Sequence, residues 1–178
     1  MFTFDSQITS SQFASDALKH FNLSGCQFLS VEENANTLLN QWLDRYSGID
    51  WLIKDATDAI YGLSTRMRYV SADKPKIYED FTIRADRYSG IASEDTKRTR
   101  ALTKGSLFPV FTCQCWYSGS NFQCGAMMST SDLYTFMKQQ PHLVSTMYSD
   151  RTFYCVKWND IKSAGFPISI VTGSKYQA

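Results

Sequence analysis

Gly48-Ile49-Asp50-Trp51-Leu52-Ile53 and Ile60-Tyr61-Gly62-Leu63-Ser64-Thr65-Arg66-Met67-Arg68-Tyr69-Val70, joined through Lys54-Asp55-Ala56-Thr57-Asp58, decide the fold. Both runs are rich in β-branched and aromatic residues, and a short polar link between such runs is the mark of a hairpin. Period two along the second run puts Ser64, Arg66 and Arg68 on one face and Leu63, Thr65, Met67 and Tyr69 on the other. Asp50, at the head of the first strand, is expected on the side of Ser64 and Arg66, near enough for carboxylate and guanidinium to share a ligand.

Downstream, a polar loop through Asp73-Lys74-Pro75-Lys76 leads to a third run, Tyr78 to Ala85. There Phe81, Ile83 and Ala85 alternate with Asp80, Thr82, Arg84 and Asp86, so two neighbouring strands are expected to offer one polar, arginine-bearing face each. Upstream, Ser30-Val31-Glu32-Glu33 has the form of a capping box. Val31, Ala35, Leu38, Leu39, Trp42 and Tyr46 then mark one helical face until Gly48 ends the helix, with Glu32 bordering that face. An earlier amphipathic helix runs from Ser11 to Phe21 on Phe13, Ala14, Ala17, Leu18 and Phe21.

Further on, Ser93-Glu94-Asp95 opens a helix that carries Lys97, Arg98, Arg100 and Lys104 before Gly105, with acids and bases at the ends its dipole favours. A solvated helix is the simpler reading of those bases, and Lys97 is the candidate phosphate contact among them. The clearest hairpin spans Phe108 to Tyr117 and Phe122 to Met128. A helix through Leu133, Phe136 and Met137 stops at Pro141, and a strand, a short helix and a last strand follow. These elements predict a single α/β or α+β domain over residues 1–178, with a mixed, largely antiparallel central sheet flanked by helices.

With 178 residues, 43% hydrophobic, the chain can bury a core, and its net charge of +1 favours neither a polyanion nor a membrane. The local balance differs, because residues 66–104 hold ten of the eighteen Lys/Arg and six of the seventeen Asp/Glu. No run is apolar enough to span a bilayer and the first residues lack the form of a secretory signal, so the expected state is soluble and cytoplasmic, with no membrane partner. Five cysteines, an odd number, point to reduced thiols. Cys113 and Cys115 share a strand face, and hairpin pairing is expected to set Cys124 opposite Cys115, but the spacing is not that of a zinc knuckle and no zinc is expected. Two histidines, no Gly-x-Ser-x-Gly elbow and no Gly-rich phosphate loop exclude the common hydrolase triads and nucleotide folds.

An Asp after Gly-Ile, a short link, and a strand with a basic residue on its polar face resemble the core of the PD-(D/E)xK nuclease superfamily. That resemblance covers residues 32 to 84. It implies a restriction-endonuclease-like core with Asp50 as the first acid and metal ligand, Glu32 as the helix acid, and Mg²⁺ as cofactor. Ser64-Thr65-Arg66 stands where the family has acid-x-Lys. Ser64 offers only a neutral oxygen, and Arg66 stays protonated, able to clamp phosphate but not to move protons.

The implied function is a nucleic-acid-directed protein. It either hydrolyses phosphodiesters weakly with Mg²⁺, using Asp50, Ser64, Arg66 and Glu32, or binds DNA or RNA through Arg66, Arg68, Arg84 and Lys97 without cleavage. Two other readings stand beside it. One is a structural ion-pair network joining Asp50, Asp80 and Asp86 to the arginines. The other is a non-enzymatic protein-interaction module of the kind a phage or mobile element turns on a host protein.

Overall fold

The hairpin at the centre of the chain forms as its sequence predicts. Strand β2 (Trp51–Lys54) pairs antiparallel with β3 (Ile60–Tyr69), Trp51 opposite Leu63. Its turn is held by Asp55, whose carboxylate accepts from the backbone N–H of Thr57 and of Ala59 and from the Thr57 hydroxyl, while Asp58 takes a left-handed φ of 64°. The structure is a computed structural model, and it describes residues 10–31, 38–70, 76–86, 92–148 and 151–173. Glu32 lies outside the described residues.

Around this hairpin stands an α+β fold. A strand β1 (Gln27–Ser30) adds to β2. On the other side, β3 pairs in parallel with β5 (Phe111–Ser118), and a parallel neighbour requires a crossover. Helix α3 (Glu94–Lys104) supplies it, capped by Ser93, whose hydroxyl accepts from Thr96 N–H, and closed by Gly105 at φ 66°. Strands β6 (Asn121–Ser129) and β9 (Ser169–Thr172) complete a mixed sheet of six in the order β1-β2-β3-β5-β6-β9.

The run containing Arg84 does not join this sheet as a neighbour of β3. Instead β4 (Asp80–Arg84) pairs with β8 (Thr152–Lys157), and β8 with β7 (Val144–Tyr148), as a second, antiparallel sheet. Strand β5 takes the place beside β3, so the polar faces of β3 and β4 confront each other from two sheets.

Each face of the large sheet carries a core. Helix α1 (Ser10–His20) lays Phe13 and Ala17, with Phe21 just beyond it, over Trp51, Ile53, Leu63, Cys113, Cys115 and Tyr117. Opposite, Trp116, Cys124, Ala126 and Met128 pack with Phe81, Ile83 and Val156 of the small sheet. Leu133 and Phe136 of α4 (Thr130–Gln139) and Trp158 and Ile161 of α5 (Trp158–Ser163) close that core. Cys124 is on this side, opposite Trp116 and not Cys115, because a bulge between Trp116 and Tyr117 shifts the hairpin register by one.

The long helix expected before Gly48 is represented by α2 (Leu38–Trp42) and a π-helical turn at Leu43–Ser47 that ends on left-handed Gly48. Leu43 is buried with Val31 and Ile49, whereas Leu38, Leu39, Trp42 and Tyr46, expected on the buried face, are all exposed. The π turn winds the chain by more residues per turn than an α-helix, so 3.6-residue spacing mis-assigns its inward face. Among the described residues, no helix is long and apolar enough to cross a membrane.

Gly125 lies close beneath Phe21, just past α1: a Cβ there would lie 3.0 Å from Cys115 Sγ and 3.1 Å from both the Gln114 carbonyl oxygen and Phe21 Cζ. Gly125→Ala is expected to overpack this point and cost about 1–3 kcal/mol in urea denaturation.

Candidate functional site

Asp50 stands where β2 begins, and its backbone is fixed on both sides. Its N–H donates to the Leu63 carbonyl at 3.0 Å, and its carbonyl accepts from Val31 N–H at 2.9 Å. Its Oδ2 accepts from the Thr65 N–H at 2.6 Å, taking over the β3 ladder where β2 stops. Ser64 stands beside that carboxylate, and its Oγ accepts from Arg98 Nη2 at 2.5 Å. Arg98 thus reaches toward Asp50 through Ser64.

Asp50, Ser64 and Arg66 occupy one face, as strand alternation requires. The guanidinium that serves Asp50, however, is that of Arg98, from the crossover helix. Arg66 turns to Glu94, its Nη2 donating to Oε1 at 2.6 Å. The other oxygen of Glu94 accepts from the backbone N–H of Arg84 at 3.0 Å. One carboxylate at the first turn of α3 therefore joins α3, β3 and β4.

Nothing in the spacing around Glu94 marks it as a site residue, because a carboxylate at the start of a helix is what the dipole alone would select. The available signal is the chain order of a strand, a helix and a further strand, which a parallel crossover uses to bring the head of α3 back over β3.

Electrostatics follow from burial. Desolvation pushes Asp50 up to about 7, against the pull of the Thr65 N–H and of Arg98, and Glu94 adds to the rise. Burial acts on Glu94 in the same direction, but Arg66, Arg98 and Arg84 outweigh it and hold that carboxyl below its ordinary value. Asp80 is raised by burial, despite hydrogen bonds from Thr82 and Gln114. Arg68 is lowered, first by burial and then by neighbouring Arg66, yet its guanidinium remains a cation at neutral pH.

Lys97 and Arg98 are not on a solvated helix face. Both are buried: Lys97 runs along Gly48 and donates to the Asp44 carbonyl at 2.7 Å, locking α3 to the π turn. Arg98 is only 3% exposed, and its Nε and Nη1 have no hydrogen-bond partner. It lines a small polar cavity with Ser64, Arg66, Glu94 and Gln114, with room for about one water molecule.

Arg66, Arg68 and Arg84 lie half-buried in the polar cleft where the two sheets face each other. The guanidinium carbons of Arg66 and Arg84 lie 5.5 and 6.0 Å from the centre of the Phe153 ring, and that of Arg68 lies 6.0 Å from Trp116. Gln114, buried at the base, bridges the sheets by accepting from Thr82 N–H at 3.0 Å. Of the other candidates, Asp86 accepts from the Thr152 N–H and hydroxyl, away from the arginines. Cys113 Sγ and Cys115 Sγ are 3.6 Å apart in the α1 core, and no group of three or more His, Cys, Asp or Glu side chains gathers among the described residues as a metal centre would need.

The chain matches no protein-family model, and neither a curated protein nor a solved structure is found similar to it.

Because Asp50 titrates higher folded than unfolded, the folded state binds the extra proton between about pH 4 and 7. Its contribution to stability is complete below about pH 4 and is lost as pH rises through 7, a change of a few kcal/mol. Asp50→Asn keeps an acceptor for Thr65 N–H without the titration. Denaturant titrations should show the Asp50→Asn variant more stable than wild type at pH 8 by on the order of 3 kcal/mol, with the gap closing toward pH 4.

Proposed function

We propose that the protein is nucleic-acid-directed and holds the phosphodiester backbone in the cleft between its two sheets without cleaving it. The observation that carries this reading is the charge in the cleft. Arg66, Arg68 and Arg84 converge there with Glu94 and Asp80, so three guanidinium groups meet two carboxylates, while Arg98 behind them faces Asp50 and Asp95. An ion-pair network serving stability alone would balance its charges, and the surplus here is positive. Half-buried arginines, with bidentate forks, suit phosphate oxygens.

The PD-(D/E)xK resemblance supplies the scaffold for this reading: Asp50, Ser64 and Arg66 share a face at the start of β2 and along β3. The donor set does not fit Mg²⁺. Asp50 Oδ2 is engaged by Thr65, both oxygens of Glu94 are engaged by Arg66 and Arg84, and the Arg98 cation beside Ser64 opposes a second cation. Lys97, tied to Asp44, is not one of the phosphate contacts in this arrangement.

A protein-interaction role is the second reading, favoured by the exposed Leu29, Leu38, Leu39, Trp42, Tyr46 and Ile60, which gather their apolar surface on β1, α2, the π turn and the start of β3.

Fluorescence anisotropy with labelled DNA and RNA tests the first reading. Affinity should fall steeply with salt. Arg66→Ala and Arg84→Ala should each flatten the slope of log K against log salt by about one, and EDTA should leave binding unchanged. Absence of salt-sensitive binding to any nucleic acid would leave the protein-interaction reading in its place.

A further inference from the structure

All four cation–aromatic pairs found among the described residues follow β3 and β4, with the approach to β4. At one end, Arg66 and Arg84 flank Phe153. Further along β3, Arg68 lies over Trp116, whose ring is 6.4 Å from Tyr78, and Lys76 Nζ is 4.9 Å from the Tyr78 ring centre. Strands β3 and β4 run in opposite directions here, because Arg66 meets Arg84 through Glu94 while Trp116, opposite Arg68 on β5, reaches back to Tyr78. Phe153, opposite Arg84, and Tyr78 therefore mark the two ends of the cleft, separated by the length of β4, roughly 13 Å at strand rise, and by the tight turn at Tyr78.

The two ends are built differently. Phe153 is half-buried between guanidinium groups, whereas Tyr78 is 53% exposed. Tyr78 is nevertheless fixed from behind: Trp116, itself buried, donates from Nε1 to the Tyr78 carbonyl at 2.9 Å, and Asp80 N–H donates to the same oxygen. An exposed ring on a pinned backbone, next to a buried tryptophan and two cations, loses little freedom on meeting a flat partner.

Resting on the nucleic-acid reading above, we infer that the cleft takes single-stranded nucleic acid, with Tyr78 as a base-stacking platform and Arg66, Arg68 and Arg84 tracking the backbone. In a duplex the base faces are covered by their neighbours, so an aromatic ring gains a partner only from an unstacked base. Alternating cations and rings are the arrangement that single strands exploit without sequence preference. The exposed Lys76 ammonium supplies charge for the phosphate beside a base that takes its place on the Tyr78 ring.

The test compares a labelled 15-nucleotide oligo-dT with a 15-base-pair duplex, by anisotropy at several salt concentrations, for wild type, Tyr78→Ala, Tyr78→Phe and Arg84→Ala. The single strand is expected to bind at least tenfold more tightly than the duplex. Tyr78→Ala should weaken it about 5- to 100-fold with an unchanged salt slope, Tyr78→Phe should bind as wild type, and Arg84→Ala should flatten the slope. Circular dichroism of each variant separates loss of binding from loss of fold, and Tyr78→Phe, which keeps the ring, guards the comparison. Equal or tighter duplex binding, or single-strand binding indifferent to Tyr78→Ala, overturns this inference and leaves the broader reading intact. No salt-sensitive binding to either probe overturns both.

Discussion

The carboxylate of Glu94 is the constraint on which the arrangement turns. Its two oxygens accept from the side chain of Arg66 on β3 and the backbone of Arg84 on β4, while its own backbone begins the crossover helix. Hydrogen bonds to a charged group contribute about 1.5–3 kcal/mol each, and removing one partner from a buried set costs more than the bond itself. Three elements distant in sequence are thereby fixed at one point. The two sheets are pinned at this corner by charge and at the cleft base by Gln114, and they close on each other only farther along, through Phe81, Ile83, Trp116 and Val156. A polar cleft remains between an ionic hinge and an apolar core.

That geometry separates two roles that a list of arginines would merge. Arg98 is a buried structural cation: it faces Ser64 and through it steadies Asp50 at the end of β2. Arg66, Arg68 and Arg84 lie at intermediate depth beside aromatic rings, with Arg66 also paired to Glu94. Cations presented in that way are costly to leave facing low-dielectric walls, and an anion entering the cleft removes part of that cost. Asp50, near half-protonated at neutral pH, adds only part of an opposing charge.

Much of this was legible in the sequence. Alternation along Leu63 to Tyr69 marks the arginine face, the Asp55 to Asp58 link marks the hairpin, and the Ser93 cap marks the crossover helix. What escapes a sequence reading is non-local. A strand carries no label for its sheet, so Arg84 reads as a neighbour of β3 although its strand pairs with β8. The Trp116 bulge, which moves Cys124 to the other core, and the π turn, which turns Leu43 inward and leaves Trp42 and Tyr46 outside, each break a fixed period by one residue. Lys97 and Arg98 read as solvated because their acceptors, Asp44 and Ser64, come from distant parts of the chain.

Arginine Nε–H resonances, followed by NMR as an oligonucleotide is added, report on the central claim side chain by side chain. Binding in the cleft predicts saturable shifts for Arg66, Arg68 and Arg84, little change for Arg98 behind them, and none for the exposed Arg45 and Arg100 outside it. Shifts confined to Arg45 and Arg100, or none for the three cleft arginines at saturating ligand, would contradict the account.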